Sequence, residues 1–450
     1  MRTFNIIKNI TESNIDTNRA TSVLFANHVK DHWNTTDNRT LVIQAQQGVG
    51  KTRSIAKQST FFIKELSTDE VGANYIISTP APSATSKATR NYLKDSIQQL
   101  LDSGYVVYYY SKDELDIINN AFYPAPNLST LLMLKRGNPQ GVVIVNTSHQ
   151  MLTYKTNLSH VESLVSNTPT MLLIDEGDWY GMGITSAEEY VRQTENPIGS
   201  YSNKTFKFFE RLREDYGVKM IGYTGTPTEE QKNDNTFIYK STPKRMSSKY
   251  IKTMGGVKIF NKSIRNLNDV RDLNDLNEMD SGAAIIKSAR GDINYILNKF
   301  RDGSYDRNES RLFKGYVFYS SREQAFTLSG TGYYSKNRIG NLDDAAALIS
   351  SDTGYDTLVV IEAGSRGLDI LRVNKTFDLS SSSKRMFQTT AQQLFGRGSR
   401  KYGNLEHFIY VNERDGAISA LENYNETAYG GTSEFFKMQR LIEGAKNILV

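Results

Sequence analysis

Residues 41–52 read Leu-Val-Ile-Gln-Ala-Gln-Gln-Gly-Val-Gly-Lys-Thr. The apolar run at 41–43 indicates a buried strand, and the glycine-rich turn after it is typical of a phosphate-binding loop placed before a helix. Gly48 and Gly50 let backbone N–H groups turn towards phosphate oxygens. A chance glycine-rich turn is the alternative, but the strand before it and the Lys-Thr pair after it favour a loop that binds the phosphates of a nucleotide.

Two side chains of this loop are expected to act on the nucleotide. Lys51 is predicted to reach the β- and γ-phosphates, and Thr52 is predicted to hold Mg²⁺. The pattern G-x-x-x-x-G-K-[ST] is met except that Ala45 stands in place of the first glycine. The predicted nucleotide-binding residues of the loop are Gln47, Gly48, Val49, Gly50, Lys51, Thr52 and Arg53.

The composition is that of an ordinary globular protein. The chain has 450 residues, enough for two or three domains, with 38% apolar and 23% charged residues. No apolar run approaches the roughly 20 residues of a membrane span and the N-terminus lacks an apolar signal segment, so we expect an intracellular protein with no membrane partner. The absence of cysteine excludes disulfides and thiolate metal sites, and the net charge of +5 indicates a mild preference for polyanions.

Strand and helix signals alternate along the whole chain. In the first half, strands are predicted at 41–46, 73–79, 105–110, 142–146, 170–175 and 218–223, with helices such as 84–102 and 204–215 between them. In the second half, strands are predicted at 314–320, 357–362, 373–378 and 406–411, and helices at 282–301, 384–396 and 433–449. The strands are rich in Val, Ile, Leu and Tyr, as buried parallel strands are. This alternation predicts an α/β fold with doubly wound parallel sheets.

Acidic residues follow the predicted strand at 170–175. Met171–Ile174 is apolar, and Asp175, Glu176 and Asp178 come at its end, where open α/β sheets bind ligands. We expect Asp175 to coordinate Mg²⁺ through water and Glu176 to orient and deprotonate an attacking water. An Asp-Glu pair after a strand is weak evidence alone, but its position downstream of a phosphate-binding loop strengthens it.

Two further segments add candidate residues. Thr224–Pro227 reads Thr-Gly-Thr-Pro after the strand predicted at 218–223, and its hydroxyl groups could bond acidic neighbours and move when a phosphate leaves. Gln393–Arg400 contains Arg397 and Arg400, which share a face if the segment is helical and could neutralise γ-phosphate charge as arginine fingers. Each segment alone has an ordinary explanation, a simple turn for the first and a solvated helix face for the second.

Together, and in this order, these segments resemble motifs I, II, III and VI of the superfamily 2 helicases and translocases. Ala45–Thr52 resembles A-x-x-G-x-G-K-T, Asp175–Asp178 resembles D-E-x-D, Thr224–Pro227 resembles T-G-T-P, and Gln393–Arg400 resembles Q-x-x-G-R-x-x-R. Weaker likenesses to other motifs of the family lie at Ser78–Pro80, Val145–Leu152, Tyr316–Ser321 and Glu362–Ile370. The resemblance covers about residues 40–412.

The resemblance implies two tandem RecA-like domains with ATP in the cleft between them and a nucleic-acid strand lying across both. By position, the residues that would act on ATP are Lys51, Thr52, Asp175, Glu176, Gln393, Arg397 and Arg400, with Gly367 and Asp369 near the ribose and γ-phosphate. The strand contacts would be Thr79, Pro80, Thr147, Ser321, Arg322, Ser365 and Arg366, and the coupling residues Asp178, Thr224 and Thr226. No adenine-reading glutamine motif is evident before Leu41, so the nucleotide preference is open.

Charge is distributed unevenly in the middle of the chain. No acidic residue occurs from Asn235 to Asn268, whereas this segment holds eight lysines and arginines. It is either a solvated linker face or a phosphate-contacting surface, with Lys244, Arg245 and Lys249 as the candidate contacts. We place a first domain at 1–230 with an N-terminal extension at 1–39, a basic linker at 231–260, and a second domain at 261–450.

The sequence as a whole predicts a nucleic-acid-stimulated ATPase that moves on single-stranded, forked or branched DNA. Thr224–Pro227 and Gly396–Arg400 look more like DNA translocases of the branch-migration and repair type, and the compact chain resembles small helicases of large DNA phages that act in replication and recombination. An RNA helicase, the motor subunit of a restriction or packaging complex, and a binding protein gated by its ATP cycle remain alternatives. A monomer is favoured, although the oligomeric state is open.

Overall fold

Two eight-stranded sheets organise the part of the chain that the structure describes. The computed structural model describes residues 20–79, 84–111, 115–178, 198–233, 235–243, 254–260, 283–287, 315–319, 325–329, 334–339, 342–351, 357–360, 370, 372–378, 393–398, 406–412 and 417–446. These residues divide into two compact units, one reaching as far as 243 and one beginning at 254, with Gln46–Gly48 grouped with the second. Each unit contains one of the sheets.

The first sheet is parallel throughout. Its strands are β1 (Thr40–Gln44), β2 (Asn74–Thr79), β3 (Val107–Ser111), β4 (Phe122–Pro124), β5 (Val142–Ser148), β6 (Thr170–Asp175), β7 (Lys219–Thr224) and β8 (Phe237–Ser241). They lie in the order β4-β3-β5-β2-β6-β7-β1-β8. Runs such as Val142–Val145 are fully buried, which is why they are apolar at every position rather than at alternate ones.

Helices cover both faces of this sheet. They are α1 (Ala20–Trp33), α2 (Lys51–Lys57), α3 (Ser59–Leu66), α4 (Ala84–Asp102), α5 (Leu128–Gly137), α6 (His149–Leu152), α7 (Leu158–Val165), α8 (Ile198–Tyr216) and α9 (Glu229–Asn233). Leu131 of α5, Val161 of α7 and Phe209 of α8 are buried in one apolar cluster with strand residues such as Val143 and Leu172. Among the described helices, none combines the length and the apolar character needed to cross a bilayer.

The second sheet is parallel except at one edge. Its strands are β9 (Met254–Phe260), β10 (Ala283–Lys287), β11 (Gly315–Tyr319), β12 (Ala325–Ser329), β13 (Tyr334–Ile339), β14 (Thr357–Val360), β15 (Val373–Asp378) and β16 (His407–Asn412), in the order β13-β12-β11-β14-β10-β15-β16-β9. β12 pairs antiparallel with both β11 and β13. The described helices of this unit are α10 (Leu342–Ser350), α11 (Ala417–Tyr429) and α12 (Ser433–Lys446), and Met438 and Ile442 of α12 pack into a core with Leu421 of α11.

The predicted fold class is confirmed, because both units are α/β with parallel sheets and helices. The predicted strand at 170–175 and the predicted helix at 84–102 have the observed limits. The strand predicted at 373–378 is also observed with those limits. The remaining predicted strands shift by one or two residues at their ends, which is the ordinary uncertainty of element boundaries.

One helix prediction was wrong. Residues 283–287, expected within a helix at 282–301, form β10 in the interior of the second sheet, between β14 and β15. The run Ala-Ala-Ile-Ile is continuously apolar, and in so short a run periodicity does not separate a buried strand from a buried helix.

The segment expected to be a basic linker, 231–260, is described in part. It contains most of α9 and two strands, β8 and β9, which lie at the ends of the two strand orders. Lysines such as Lys240 and Lys258 are tolerated on edge strands, because one side of such a strand is unpaired. The assignment of 231–260 as the segment between two domains stays a prediction.

Candidate nucleotide-binding site

The phosphate-binding loop joins β1 to α2. Gly48 has φ of 80° and Gly50 has φ of 93°, left-handed conformations that glycine adopts without steric cost. α2 begins at Lys51, directly after Gly50, so its first N–H groups lie at the end of the loop, where anions bind favourably. Val49 is fully buried, and it can therefore contribute only backbone groups to a ligand.

Lys51 is held inside this loop. Its ammonium donates a hydrogen bond of 2.8 Å to the carbonyl oxygen of Ala45, and the side chain is 8% exposed. The N–H of Ala45 in turn donates to the carbonyl of Thr224 at 2.8 Å. The loop is thereby tied to the carboxyl end of β7, which carries the Thr-Gly-Thr-Pro segment. Arg53, the last predicted residue of the loop, instead places its guanidinium over the ring of Tyr92 at 5.7 Å.

Asp175 and Thr52 are in direct contact. The hydroxyl of Thr52 donates to Oδ2 of Asp175 at 3.1 Å, and the backbone N–H of Glu176 donates to Oδ1 at 3.1 Å. Burial, together with the neighbouring Glu176 carboxylate, raises the pKa of Asp175, while Lys51 and the two hydrogen bonds act in the opposite direction. The two predicted Mg²⁺ ligands are therefore adjacent, with the predicted phosphate-binding ammonium close to them.

Glu176 has an unusual backbone. Its φ is 54°, a left-handed conformation that costs a residue with a side chain about 1 kcal/mol or more. The next residue, Gly177, donates its N–H to the carbonyl of Tyr223 at 2.8 Å. A Cβ at Gly177 would lie 2.9 Å from Cα of Gly222, so only glycine permits this approach. The close contact with β7 holds the turn that aims Glu176.

The predicted coupling residues form one hydrogen-bonded chain. The hydroxyl of Thr224 donates to Oδ1 of Asp178 at 2.9 Å, and the backbone N–H of Thr226 donates to the same hydroxyl oxygen at 3.0 Å. Asp178 and Thr224 are fully buried. The ends of β6 and β7 are therefore joined through these three residues directly beside Asp175 and Glu176.

The predicted strand contacts Thr79 and Thr147 lie at the carboxyl ends of β2 and β5. Both side chains are buried, and Thr147 is hydrogen-bonded to the Tyr110 hydroxyl. Beside them, Ser78 and His149 share a hydrogen bond of 2.6 Å between Oγ and Nδ1. The two strand ends are thus joined side chain to side chain.

In the second unit, the structure brings Gln393 and Arg397 together. Both are buried, and Arg397 donates from Nη2 to Oε1 of Gln393 at 3.3 Å. Arg397 does not lie on a helix as predicted, because helical residues end at Phe395 and its N–H closes a turn onto the carbonyl of Leu394 at 3.0 Å. Only glycine fits at position 398, since a Cβ there would lie 2.1 Å from the ring of His407.

Several predicted residues lie outside the described part of the chain. Among the strand contacts these are Pro80, Lys244, Arg245, Lys249, Ser321, Arg322, Ser365 and Arg366. Among the residues expected to act on ATP they are Gly367, Asp369 and Arg400.

Sequence reasoning missed Gln231, which supports the turn at Glu176 and Gly177. Its side chain donates from Nε2 to the carbonyl of Gly177 at 2.7 Å and accepts from the N–H of Thr228 at 3.1 Å. The N–H of Gln231 donates to the Thr228 hydroxyl at 3.2 Å, which completes a capping box at the start of α9. The signal was present as Thr-x-x-Gln at 228–231, directly after the Thr-Gly-Thr-Pro segment.

No protein-family model matches the sequence, and no curated protein matches it. Solved structures do match. Dbp5 of S. cerevisiae bound to RNA and ADP BeF3 is 11% identical with a TM-score of 0.51, over 93% of this chain and 92% of that one. The ATP-dependent Type ISP restriction-modification enzyme LlaBIII bound to DNA is 13% identical with a TM-score of 0.55, over 95% of this chain. The DUF1998 helicase MrfA bound to DNA is 16% identical with a TM-score of 0.51, over 93% of this chain.

The chain has the fold of these proteins. It spans 32% of the length of LlaBIII and 48% of the length of MrfA, whereas it matches nearly the whole of Dbp5. At identities this low the likeness establishes the fold alone, and function has to be argued from the site.

Proposed function

We propose that the protein is a nucleic-acid-stimulated ATPase that works as a DNA helicase or translocase. The observation that carries this proposal is the convergence of Lys51, Thr52, Asp175 and Glu176 at the carboxyl ends of β1 and β6, where α/β sheets bind ligands. This combination serves nucleotide hydrolysis rather than nucleotide binding alone, since a binder has no need of Glu176. The likeness in fold to ATP-dependent and helicase structures supports the same reading.

ATP and Mg²⁺ fit the residues present. The loop from Gln47 to Arg53 would surround the phosphates with backbone N–H groups, and Lys51 would exchange its hydrogen bond to Ala45 for the β- and γ-phosphates. Thr52 and Asp175 supply hydroxyl and carboxylate oxygens, the ligands that Mg²⁺ prefers. Bound Mg²⁺ would neutralise charge on the phosphate oxygens.

Glu176 is assigned as the general base. Its carboxylate would orient the attacking water and accept its proton, in the conformation that Gly177 and Gln231 hold. We assign to the γ-phosphate, whose charge they would contact, the residues Gln393, Arg397 and Arg400. We place near the ribose and the γ-phosphate Gly367 and Asp369. Asp178, Thr224 and Thr226 are assigned to coupling, because their hydrogen bonds join β6 and β7 beside the catalytic carboxylates.

Coupling turns hydrolysis into movement. A change at Asp178 on phosphate release would alter its hydrogen bond to Thr224, and through Thr224 the backbone of Thr226 at the end of β7. Alternation between two such arrangements is the elementary requirement for stepping along a strand. The contacts to that strand are proposed to be made mainly to its phosphates. The residues proposed for them are Thr79, Pro80, Thr147, Ser321, Arg322, Ser365, Arg366, Lys244, Arg245 and Lys249.

We favour DNA at forks or junctions, with roles in replication, recombination or repair, because Thr224–Pro227 and Gly396–Arg400 resemble branch-migration translocases. RNA is the competing polymer, since of the three structures compared above Dbp5 is bound to RNA, whereas LlaBIII and MrfA are bound to DNA. A motor within a restriction-type complex is the third candidate, favoured by the fold match to LlaBIII.

The test is steady-state ATP hydrolysis without polymer and with single-stranded, duplex, forked and four-way DNA and RNA. Stimulation by DNA, greatest with branched DNA, is the expected result. Stimulation by RNA alone would assign the protein to RNA. Stimulation by duplex DNA without strand separation in a parallel unwinding assay would favour the motor, and an absence of stimulation by every polymer would overturn the proposal.

A further inference from the structure

The turn after β5 is an ordered segment that comes directly after Thr147. The Ser148 hydroxyl accepts a hydrogen bond from the N–H of Met151 at 3.3 Å, and the N–H of Thr153 donates to the carbonyl of His149 at 3.0 Å. The side chain of Asn157 closes the turn by donating to the carbonyl of Met151 at 2.8 Å. Hydrogen bonds within residues 148–157 therefore hold the start, the middle and the end of the turn.

His149 anchors this turn to the rest of the unit. It is 6% exposed, its Nδ1 lies 2.6 Å from Oγ of Ser78, and its ring meets Phe209 of α8 edge to face at 6.1 Å. Leu152, three residues later, is 1% exposed. The turn is therefore fastened to β2, to α8 and to the core, and it presents its remaining side chains in defined positions.

Two of those remaining side chains are large, apolar and directed to solvent. Tyr154 is 63% exposed and Met151 is 39% exposed. Single exposed apolar residues are common and need no explanation. These two differ because they occupy the same ordered turn, at the carboxyl ends of the strands, where the proposed function places the polymer. In addition, an aromatic ring held by a rigid backbone loses little entropy when it binds.

Lysines are the only acidic or basic residues, histidine aside, in the turn at 148–157 and in the first ten residues of α8, 198–207. No aspartate or glutamate occurs from Ile117 to Val161. Lys155, next to Tyr154, is exposed, and α8, which packs on His149, exposes Lys204 and Lys207. The first carboxylate beyond the acid-free stretch, Glu162, is paired with Arg211.

We propose that Tyr154, together with Met151, is a stacking platform for a base of a single nucleic-acid strand. An exposed aromatic face beside lysines matches a ligand that combines flat apolar rings with a negatively charged backbone. This inference rests on the proposed function and adds to it a contact to bases, where the sequence motifs indicate contacts to phosphates. Because every base has an apolar face, Tyr154 increases affinity for a strand without selecting its sequence.

The test compares strands that carry bases with a strand that does not. Fluorescence anisotropy gives Kd for a labelled thymidine oligonucleotide, for the corresponding uridine oligonucleotide and for an abasic oligonucleotide of equal length. We expect Tyr154→Ala to weaken binding of the base-bearing strands about fivefold or more, and to leave Kd for the abasic strand unchanged. Tyr154→Phe, which keeps the ring, is expected to bind as the wild type does.

Phe436→Ala is the matched control, because Phe436 of α12 is 64% exposed and is thus a solvent-facing aromatic of equal exposure elsewhere. It is expected to match the wild type on every strand. A second measurement uses 2-aminopurine in the oligonucleotide, whose fluorescence falls on stacking; the fall should occur with the wild type and Tyr154→Phe and be absent with Tyr154→Ala.

Three outcomes would overturn the inference. Equal weakening on base-bearing and abasic strands would show that Tyr154 supports the turn rather than a base, and unchanged affinity would show that no base contacts it. A fall in 2-aminopurine fluorescence with Tyr154→Ala equal to that with the wild type would show that the base stacks elsewhere. In all three cases the wild type still binds strands, whereas a wild type that binds no strand at all would overturn the proposed function itself.

Discussion

The ammonium of Lys51 donates to one of the loop carbonyls, that of Ala45, at 2.8 Å. If this charge serves phosphate, Lys51→Ala should lower the steady-state rate of ATP hydrolysis by about 100-fold or more, because removing one preorganised charge from a reacting group commonly has that effect. Strand binding, measured by anisotropy without nucleotide, should persist because the residues proposed to hold the phosphates of the polymer lie elsewhere.

Lys57→Ala is the control for that experiment. Lys57 is at the other end of α2 and pairs with Asp95 near the surface, an interaction worth under about 1 kcal/mol. Its hydrolysis should equal the wild-type rate. If Lys51→Ala abolished hydrolysis and strand binding together, the lysine would be a structural residue and its assignment to phosphate would be wrong.

Gly177 tests whether the turn at Glu176 has to be held closely. In Gly177→Ala, the new Cβ would lie 2.9 Å from Cα of Gly222, and relieving this contact requires β7 or the turn to move. We expect a loss of about 1–3 kcal/mol in the free energy of unfolding and a fall in kcat that exceeds the change in KM. Urea unfolding and steady-state kinetics measure the two effects.

Gly137→Ala provides the comparison. Gly137 ends α5 and a Cβ there would meet nothing within 4 Å, so this substitution should be neutral or stabilising by up to about 1 kcal/mol. Equal effects of the two substitutions would show that the contact between Gly177 and Gly222 does not constrain the site.

At the scale of elements, the short helix α9 holds the turn at Gly177 through one hydrogen bond. Gln231 caps its first turn through Thr228 and donates to the carbonyl of Gly177. In Gln231→Glu, the new carboxylate can still accept the hydrogen bond from the N–H of Thr228. It cannot donate, so the carbonyl of Gly177 loses its hydrogen bond from the amide of Gln231. We expect a loss of about 1–3 kcal/mol in stability and a lower kcat, measured by thermal unfolding and hydrolysis.

Gln98→Glu is the matched control for this change, because Gln98 bonds the exposed Asp102 side chain on α4. It should leave the rate of hydrolysis unchanged. A Gln231→Glu protein with wild-type kcat would show that α9 does not act on the turn at Glu176 and that the helix contact is purely local.

The elements also show which sequence signals were informative. Buried strands such as 170–175 were predictable because they are apolar at every position and bounded by polar turns. β10 was misassigned because Ala283–Ile286 satisfies both patterns, and edge strands such as β8, with Lys240, carry the composition of a loop. The proximity of Lys51, Thr52 and Asp175 was predictable from motifs. The contacts of Gln231 and His149 were not, because they are made to backbone and side chains that only the fold brings near.

For the whole first unit, two buried histidines predict how stability depends on pH. Burial lowers the pKa of His149 to about 3, and burial with the nearby Lys219 lowers the pKa of His32 to about 4. Since both values lie below the unfolded value of about 6.5, the unfolded chain binds more protons between these limits and stability falls as pH decreases from 6.5. At pH 5 the loss is about 2 kcal/mol for each histidine.

Urea unfolding at pH 7.5 and pH 5 checks this expectation in the wild type and in the double variant His32→Phe, His149→Asn. Asp175 acts in the opposite direction, because its raised pKa favours the folded state as pH falls. Asp175 contributes equally in the wild type and in the double variant. Its contribution therefore cancels when the changes in the free energy of unfolding of the two proteins are subtracted. The double variant should lose less stability on acidification, and identical losses would show that the histidines do not titrate as inferred.

The mild positive charge of the whole molecule predicts salt-dependent binding to nucleic acid. Replacing Lys244, Arg245 and Lys249 by alanine should weaken binding to every sequence and reduce the slope of log K against log salt by about one for each phosphate that is no longer neutralised. Replacing three basic residues of α12, Lys437, Arg440 and Lys446, makes the same change in net charge. If the two triple variants had the same slope of log K against log salt, the segment at 244–249 would act through net charge alone.

The position of β1 in its sheet has a consequence for synthesis. Leu41 pairs with Ile221 and Thr40 pairs with Phe237, so both neighbours of β1 are translated long after it. A nascent chain that ends before Lys219 therefore leaves this two-sided apolar strand unpaired, and its loop has no β7 to fasten it. An unpaired apolar strand favours aggregation, so we expect β1 to be a point of self-association in nascent chains until β7 and β8 have been made.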